Sequence, residues 1–187
     1  MPDTATDRLL TVEEFLAHYP PPGDQRRWQL IHGRPVPMNP TMRRHRFLAG
    51  FFRDALNARL TPPCAAETEA CIRPLVPRKP HSYWLADVAT SCVPVGPGTD
   101  TPDPVLIAEF VSDNEGEDRK AKLQDYRELP TVQAYLLFDQ EPRVEIHQRR
   151  ADGIWPAAPE VVQGIDGVLV LRCHGGLTIP LREIYQV

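Results

Sequence analysis

The order of elements between residues 105 and 138 constrains this chain most. Val105-Leu106-Ile107-Ala108-Glu109-Phe110-Val111 has the length and branched character of a buried strand, and Val132 to Phe138 (VQAYLLF) has the same character. Between them, residues 117 to 129 lack Gly and Pro, place Leu123, Tyr126 and Leu129 at helical intervals, and stop at Pro130. The first strand contains one acid. An unpaired charge inside an apolar strand costs several kcal/mol, so Glu109 needs a counter-charge.

Outside this segment, Thr11-Val12-Glu13-Glu14 has the capping-box form and predicts a short helix ending before Pro20. Trp28 to Ile31 and Pro35 to Met38 flank His32-Gly33-Arg34, which predicts a hairpin turning at Gly33, an edge feature because of its prolines. From Thr41 to Leu60, the residues Phe47, Leu48, Phe51, Phe52, Ala55, Leu56 and Leu60 recur at helical spacing until Pro62-Pro63. Phe47, Phe51, Phe52 and Trp84 read as core or as a dimer surface. Glu69 to Leu75 and Tyr83 to Ala89 read as strands, and Arg143 to Gln148 as a partner of Val132 to Phe138. Short strands near Ile154, at 168–171 and at 177–179, then a turn at 181–185, complete the chain. This order predicts an α/β (α+β) fold, a mixed central sheet flanked by helices with additional antiparallel hairpins. Its 187 residues suit one domain over 1–187, with a core from about 10 to 185.

A net charge of −4 argues against a dedicated basic DNA-binding module, although it leaves room for a nuclease, whose metal-holding acids sit beside local basic patches. Cys64, Cys71, Cys92 and Cys173 show no C-x-x-C spacing, and the histidines form no zinc pattern with them, so reduced, partly buried thiols are expected. There is no apolar run of roughly 18 residues to cross a bilayer and no secretory leader, which makes the cytoplasm the default compartment.

Asp87 lies in the apolar strand YWLADVAT, 22 residues before Glu109. If the two strands are neighbours, their carboxylates meet, and paired carboxylates suit Mg²⁺, which takes oxygen ligands and offsets the mutual repulsion of the acids. Asp118, Lys122 and Tyr126 are spaced i, i+4, i+8 on one helix face. Lys122 brought near two acids could orient a water and stabilise charge developing on a phosphate. Tyr126 could hold Lys122 or touch that phosphate. Bland roles stand beside these: Glu109 and Lys122 as a structural ion pair, Asp87 as a turn cap, Lys122 as a solvated residue, Tyr126 as core.

The stretches TVEEFLAHY, WQLIHGRPVPMNP, ADVAT, PVLIAEFVSDN, DRKAKLQDYRELPTVQAYLLFDQEPRVEIHQRRADGIW and GLTIPLREIY, with His45, together resemble the Uma-type (DUF820-like) family of bacterial putative restriction endonucleases. The resemblance implies a PD-(D/E)xK nuclease-like fold with a sheet of four or five strands. It also implies Asp87 and Glu109 as metal ligands and Lys122 as the catalytic lysine, displaced from the usual position two residues after the acid, here Val111, onto the following helix. Family members are similar to one another in an early Y-E-L-I-D-G-E hairpin. This chain departs from that pattern: Gln29 stands where an acid would help bind metal, and His32 and Arg34 replace the other two acids. Gln29 can ligate through its amide oxygen but adds no charge. His45 matches a recurrent family histidine, with helix capping or packing as the alternative.

The basic cluster Arg43, Arg44 and Arg46, with Arg26 and Arg27, could face a phosphate backbone, though a solvated helix face is the more usual outcome. The expected function is therefore an Mg²⁺- or Mn²⁺-dependent endonuclease acting on nucleic acid, with DNA the expected substrate, as a homodimer. Asp87, Glu109, Lys122 and Gln29 form its catalytic set, and Tyr126, His45 and Arg44 contact the substrate. The alternatives are a catalytically impaired relative that binds nucleic acid or a protein, and a hydrolase of another phosphate ester.

Overall fold

The computed structural model describes residues 8–74, 81–111 and 116–187, with the backbone alone over 116–120. Helix α1 (Val12–His18) starts from the predicted capping box: the Thr11 hydroxyl accepts from the Glu14 N–H, and the Glu14 carboxylate accepts from the Thr11 N–H. Strands β1 (Trp28–Ile31) and β2 (Arg34–Pro37) form the predicted hairpin. Its turn residues His32 and Gly33 both have positive φ, 47° and 80°, as tight hairpin turns that follow strand twist require. The ribbon is a separate two-stranded sheet, not an edge of the main one. It docks through Leu30 and Tyr83, which exchange backbone hydrogen bonds of 2.9 and 2.8 Å.

After helix α2 (Arg43–Asn57) the chain enters a six-stranded sheet ordered β3 (Ala65–Ile72), β4 (Trp84–Ser91), β5 (Pro104–Phe110), β6 (Ala134–Phe138), β7 (Arg143–Gln148) and β8 (Glu160–Gln163). Helix α3 (Gly116–Glu128) carries the chain from β5 back to the start of β6, so these two strands run parallel. All other neighbours are antiparallel, which makes the sheet mixed as expected. It has six strands where the family resemblance implies four or five. Strands β9 (Val168–Leu171) and β10 (Leu177–Pro180) form a second hairpin, and Ile154 lies in no strand. The expected strand end at Leu75 lies outside the described residues.

One face of the sheet packs against α2 and the β9–β10 hairpin: Leu48, Phe52 and Leu56 meet Leu106, Phe110, Phe138, Leu169 and Ile179. Burying each of these side chains contributes about 1.5–3 kcal/mol. On the opposite face, Tyr126 of α3 packs with Trp84, Ile107 and Tyr135. Alternation along β5 therefore sends Leu106, Ala108 and Phe110 to the α2 side and Ile107 to the α3 side, and Glu109 follows Ile107. In β4 the alternation slips: Trp84 and Ala86 join the α3 side, whereas Val88 joins the α2 side. Asp87 sits at that slip. Across from it on β3, between the pairs Thr68–Val88 and Ala70–Ala86, Glu69 takes a left-handed φ of 59°. That backbone is costly for a residue with a Cβ and marks a local break in the pleat.

The cysteines correct the sequence expectation. Cys64 and Cys92 are joined in a disulfide, while Cys71 and Cys173 are free. The cause is strand register: Ala65 pairs with Ser91, so one step further along the same ladder brings Cys64 against Cys92. Among the described residues no helix is long and apolar enough to cross a membrane.

Candidate active site

Glu109 and Asp87 are held by different layers. Glu109 Oε1 accepts from Lys122 Nζ at 2.9 Å and from the Tyr126 hydroxyl at 3.4 Å, both on α3. The i, i+4 spacing places both donors over one carboxylate. This pairing answers the burial cost of an acid in an apolar strand. Tyr126 is fully buried, and burial, then the Glu109 charge, push its pKa well above the ordinary value, so it stays a neutral donor. Asp87 turns the other way: its Oδ1 lies 2.9 Å from His45 Nε2 on α2, and its Oδ2 accepts from the Phe110 N–H at 2.7 Å. The last of these bonds ties β4 to β5 where their backbone pairing runs out.

Both carboxylates line one cavity of about 360 Å³, together with Lys122, His45, Gln29 and Gln140. Thr41 and Met42, at the N-terminal end of α2, close another side. Gln29 Oε1 and Gln140 Oε1 are buried acceptors with no hydrogen-bond partner. A buried acceptor left unsatisfied costs about 1–3 kcal/mol, and here there are two, beside two carboxylates. Asp87, Glu109, Gln29 and Gln140 thus form a set of oxygen donors around one cavity, which Asn39 and Thr41 also line. The set contains no sulfur and suits a hard cation such as Mg²⁺ or Mn²⁺, with Asp87 and Glu109 supplying charge and Gln29 and Gln140 neutral oxygens.

A relay of contacts holds the cavity wall. Lys122 Nζ lies 5.8 Å from the Trp84 ring centroid, and Trp84 Nε1 donates to Asp125 Oδ2 at 2.8 Å. His32 Nε2, in the β1–β2 turn, lies 3.8 Å from the same oxygen. The hairpin that brings in Gln29 is thereby tied to the helix that brings in Lys122.

A family model named Uma2 and described as "Putative restriction endonuclease" matches residues 12–182. The chain belongs to this family. The Uma2 match spans all the elements that build the cavity. A solved structure described as a putative nuclease belonging to DUF820, from Anabaena variabilis, superposes with a TM-score of 0.70 at 16% identity, covering 95% of this chain and 98% of that one. The similarity establishes a shared fold. No curated protein matches the chain.

Of the residues singled out in the sequence of this Uma2-family member, Gln29, His45, Asp87, Glu109 and Lys122 line the cavity, and Tyr126 stands behind Glu109. Arg44 is not among the lining residues; its guanidinium lies 3.9 Å from Glu141. Arg46, Arg27 and Arg26 instead line adjoining clefts that share Met38 and Thr41 with the main cavity. The side chain of Asp118 lies outside the described residues. Sequence reasoning missed Gln140, which follows β6, donates to the Val111 carbonyl at 2.8 Å and turns its oxygen to the interior. A single Gln in a polar connection gives no periodic signal that could have marked it.

Proposed function

We propose that this protein is a divalent-metal-dependent endonuclease that hydrolyses phosphodiester bonds of DNA. The observation that carries this reading is the grouping of two carboxylates, Asp87 and Glu109, with two unpartnered amide oxygens, Gln29 and Gln140, and Lys122 around one cavity. Asp87, Glu109, Gln29 and Gln140 would hold a Mg²⁺ or Mn²⁺ ion, which would supply Lewis-acid stabilisation to the phosphoryl oxygens. Lys122, fixed by Glu109, orients the attacking water and offsets charge that builds on the phosphate. His45 fixes the rotamer of Asp87. Tyr126 remains protonated and keeps the Glu109 carboxylate in place. The first turn of α2, with no acid to occupy its N–H groups, favours an anion at the Thr41–Met42 side of the cavity. Arg27 and Arg46 of the adjoining clefts offer cations to the backbone on the Met38–Thr41 side of the scissile bond.

We take the working form to be a cytoplasmic homodimer whose two-fold symmetry lets one cavity meet each strand. Plasmid nicking with Mg²⁺ or Mn²⁺ tests the reading: Glu109→Ala and Lys122→Ala each lower cleavage by about 10²-fold or more. Cleavage that survives both substitutions refutes the mechanism, and sedimentation at working concentration measures the dimer.

The neutral Gln29 favours a second reading, a nuclease fold that binds nucleic acid without cutting it. Under that reading a gel shift persists with metal present, and no nicked product forms.

A further inference from the structure

At the end of the sheet opposite the cavity, three side chains that share no role with the nuclease site come together. Cys64 precedes β3, Cys92 follows β4, and His174 lies in the tight turn Cys173–Gly175 between β9 and β10. One ligand atom from each lies within 4.8 Å of the others, all three half-buried. His174 Nδ1 is 3.7 Å from Cys92 Sγ. The other ring nitrogen, Nε2, is 2.8 Å from the Thr90 hydroxyl, which also accepts from the Leu106 N–H at 3.1 Å. The imidazole is therefore anchored at one nitrogen and presents the other to the sulfurs. The three residues line an open cleft of about 420 Å³ together with Arg59, Thr61 and Gln133. That cleft shares no lining residue with the cavity of Asp87 and Glu109.

We propose that Cys64, Cys92 and His174 form a redox-gated site for a thiophilic divalent cation, Zn²⁺ being the fitting ion. Two thiolates and one imidazole at tetrahedral zinc, with bonds near 2.3 and 2.0–2.1 Å, stand roughly 3.6 Å apart from sulfur to nitrogen. The 3.7 Å from Cys92 Sγ to His174 Nδ1 already meets that spacing. Among the described residues no fourth His, Cys, Asp or Glu joins the group, so solvent in the cleft completes the tetrahedron.

The disulfide is the closed state of this site. A dithiol reductant breaks the Cys64–Cys92 bond, giving up two electrons and two protons and leaving as its own disulfide. Zn²⁺ then displaces the two thiol protons to solvent, and each sulfur and His174 Nδ1 donates an electron pair. The Thr90 hydroxyl, bonded to the far nitrogen, orients the ring without touching the ion. Either state staples the α2–β3 connection to the end of β4. The metal-bound dithiolate alone adds a bond from the β9–β10 turn to the sulfurs, beside the Thr90 tether that the turn already has.

Co²⁺ titration of the full-length protein reads the site directly, because only thiolate ligation gives near-ultraviolet charge-transfer absorption, which the oxygen donors of the other cavity cannot produce. After reduction by a phosphine, one equivalent of Co²⁺ produces the band and Zn²⁺ abolishes it; the oxidised protein shows none. Cys64→Ser and Cys92→Ser lose the band, while Cys71→Ser and Cys173→Ser keep it. Thr90→Val weakens Co²⁺ binding by about 10–100-fold, the usual effect of removing a group that orients a metal-bound histidine. Far-ultraviolet dichroism of each variant confirms folding. A reduced wild type without the band, a band that survives Cys64→Ser and Cys92→Ser, or unchanged affinity in a folded His174→Ala protein overturns the proposal.

Discussion

Lys122 Nζ and Glu109 Oε1 stand 2.9 Å apart with side chains only 9% and 7% exposed, a buried ion pair that joins α3 to the centre of the sheet. Removing one member of such a pair leaves the other charge buried and costs about 3–5 kcal/mol, whereas replacing both removes the cost together with the attraction. Lys122→Met and Glu109→Gln each therefore lower stability to urea strongly, and the double variant is more stable than the sum of the two losses predicts. Strict additivity in the double-mutant cycle would refute the coupling.

The unpartnered oxygen of Gln29 gives a prediction whose sign depends on metal. Gln29→Leu removes a buried unsatisfied acceptor and is neutral or stabilising without a cation, yet it diminishes the rise in melting temperature caused by Mn²⁺. Gln29→Glu does the reverse, adding a third carboxylate to the cavity, which lowers the melting temperature without metal and enlarges the Mn²⁺-induced rise. Equal Mn²⁺ shifts in wild type and both variants would show that Gln29 does not face the ion.

Gly33 fixes how the β1–β2 ribbon enters. Its φ is 80°, and a Cβ added there would lie 2.7 Å from the Cβ of Leu9. Gly33→Ala costs about 1–2 kcal/mol for the left-handed backbone alone, with the clash added to it. Since β1 carries Gln29, the same substitution weakens Mn²⁺ binding without touching a cavity residue. Calorimetric titration with Mn²⁺ checks the second effect independently of the first.

Cys173 sets an alkaline limit. Burial pushes its thiol from the ordinary value of 9.0 up to about 12. The unfolded chain therefore loses this proton first, so the contribution is full below about pH 9 and is lost as pH rises toward 12. Cys173→Ala unfolds more easily than wild type near pH 8 because packing is lost. The gap in urea-unfolding free energy narrows at about pH 11, and a constant gap would contradict the assignment.

What the sequence conveys well is local chemistry and strand neighbourhood. The Thr11–Glu14 box and the His32–Gly33 turn declare themselves within a few residues, and the strand–helix–strand order of 105–138 within one contiguous segment. The convergence of Glu109 with Lys122 follows from that order and a four-residue helical repeat. Features that depend on register or on exposed edges do not show. Strand β8 is mostly exposed and lacks an alternating apolar face. The Cys64–Cys92 contact exists only because of the β3–β4 ladder, 28 residues apart in sequence. Gln140 and the course of Arg44 toward Glu141 are set by how a connection and a helix lie on the finished sheet.

The opposed allegiances of the two carboxylates make the cavity a seam. Asp87 answers to α2 through His45, and Glu109 answers to α3 through Lys122 and Tyr126, so the spacing between the acids registers how the two helical layers sit across the sheet. A substitution deep in one layer that shifts His45 or Lys122 therefore reaches the cavity as a change in gauge between its two jaws.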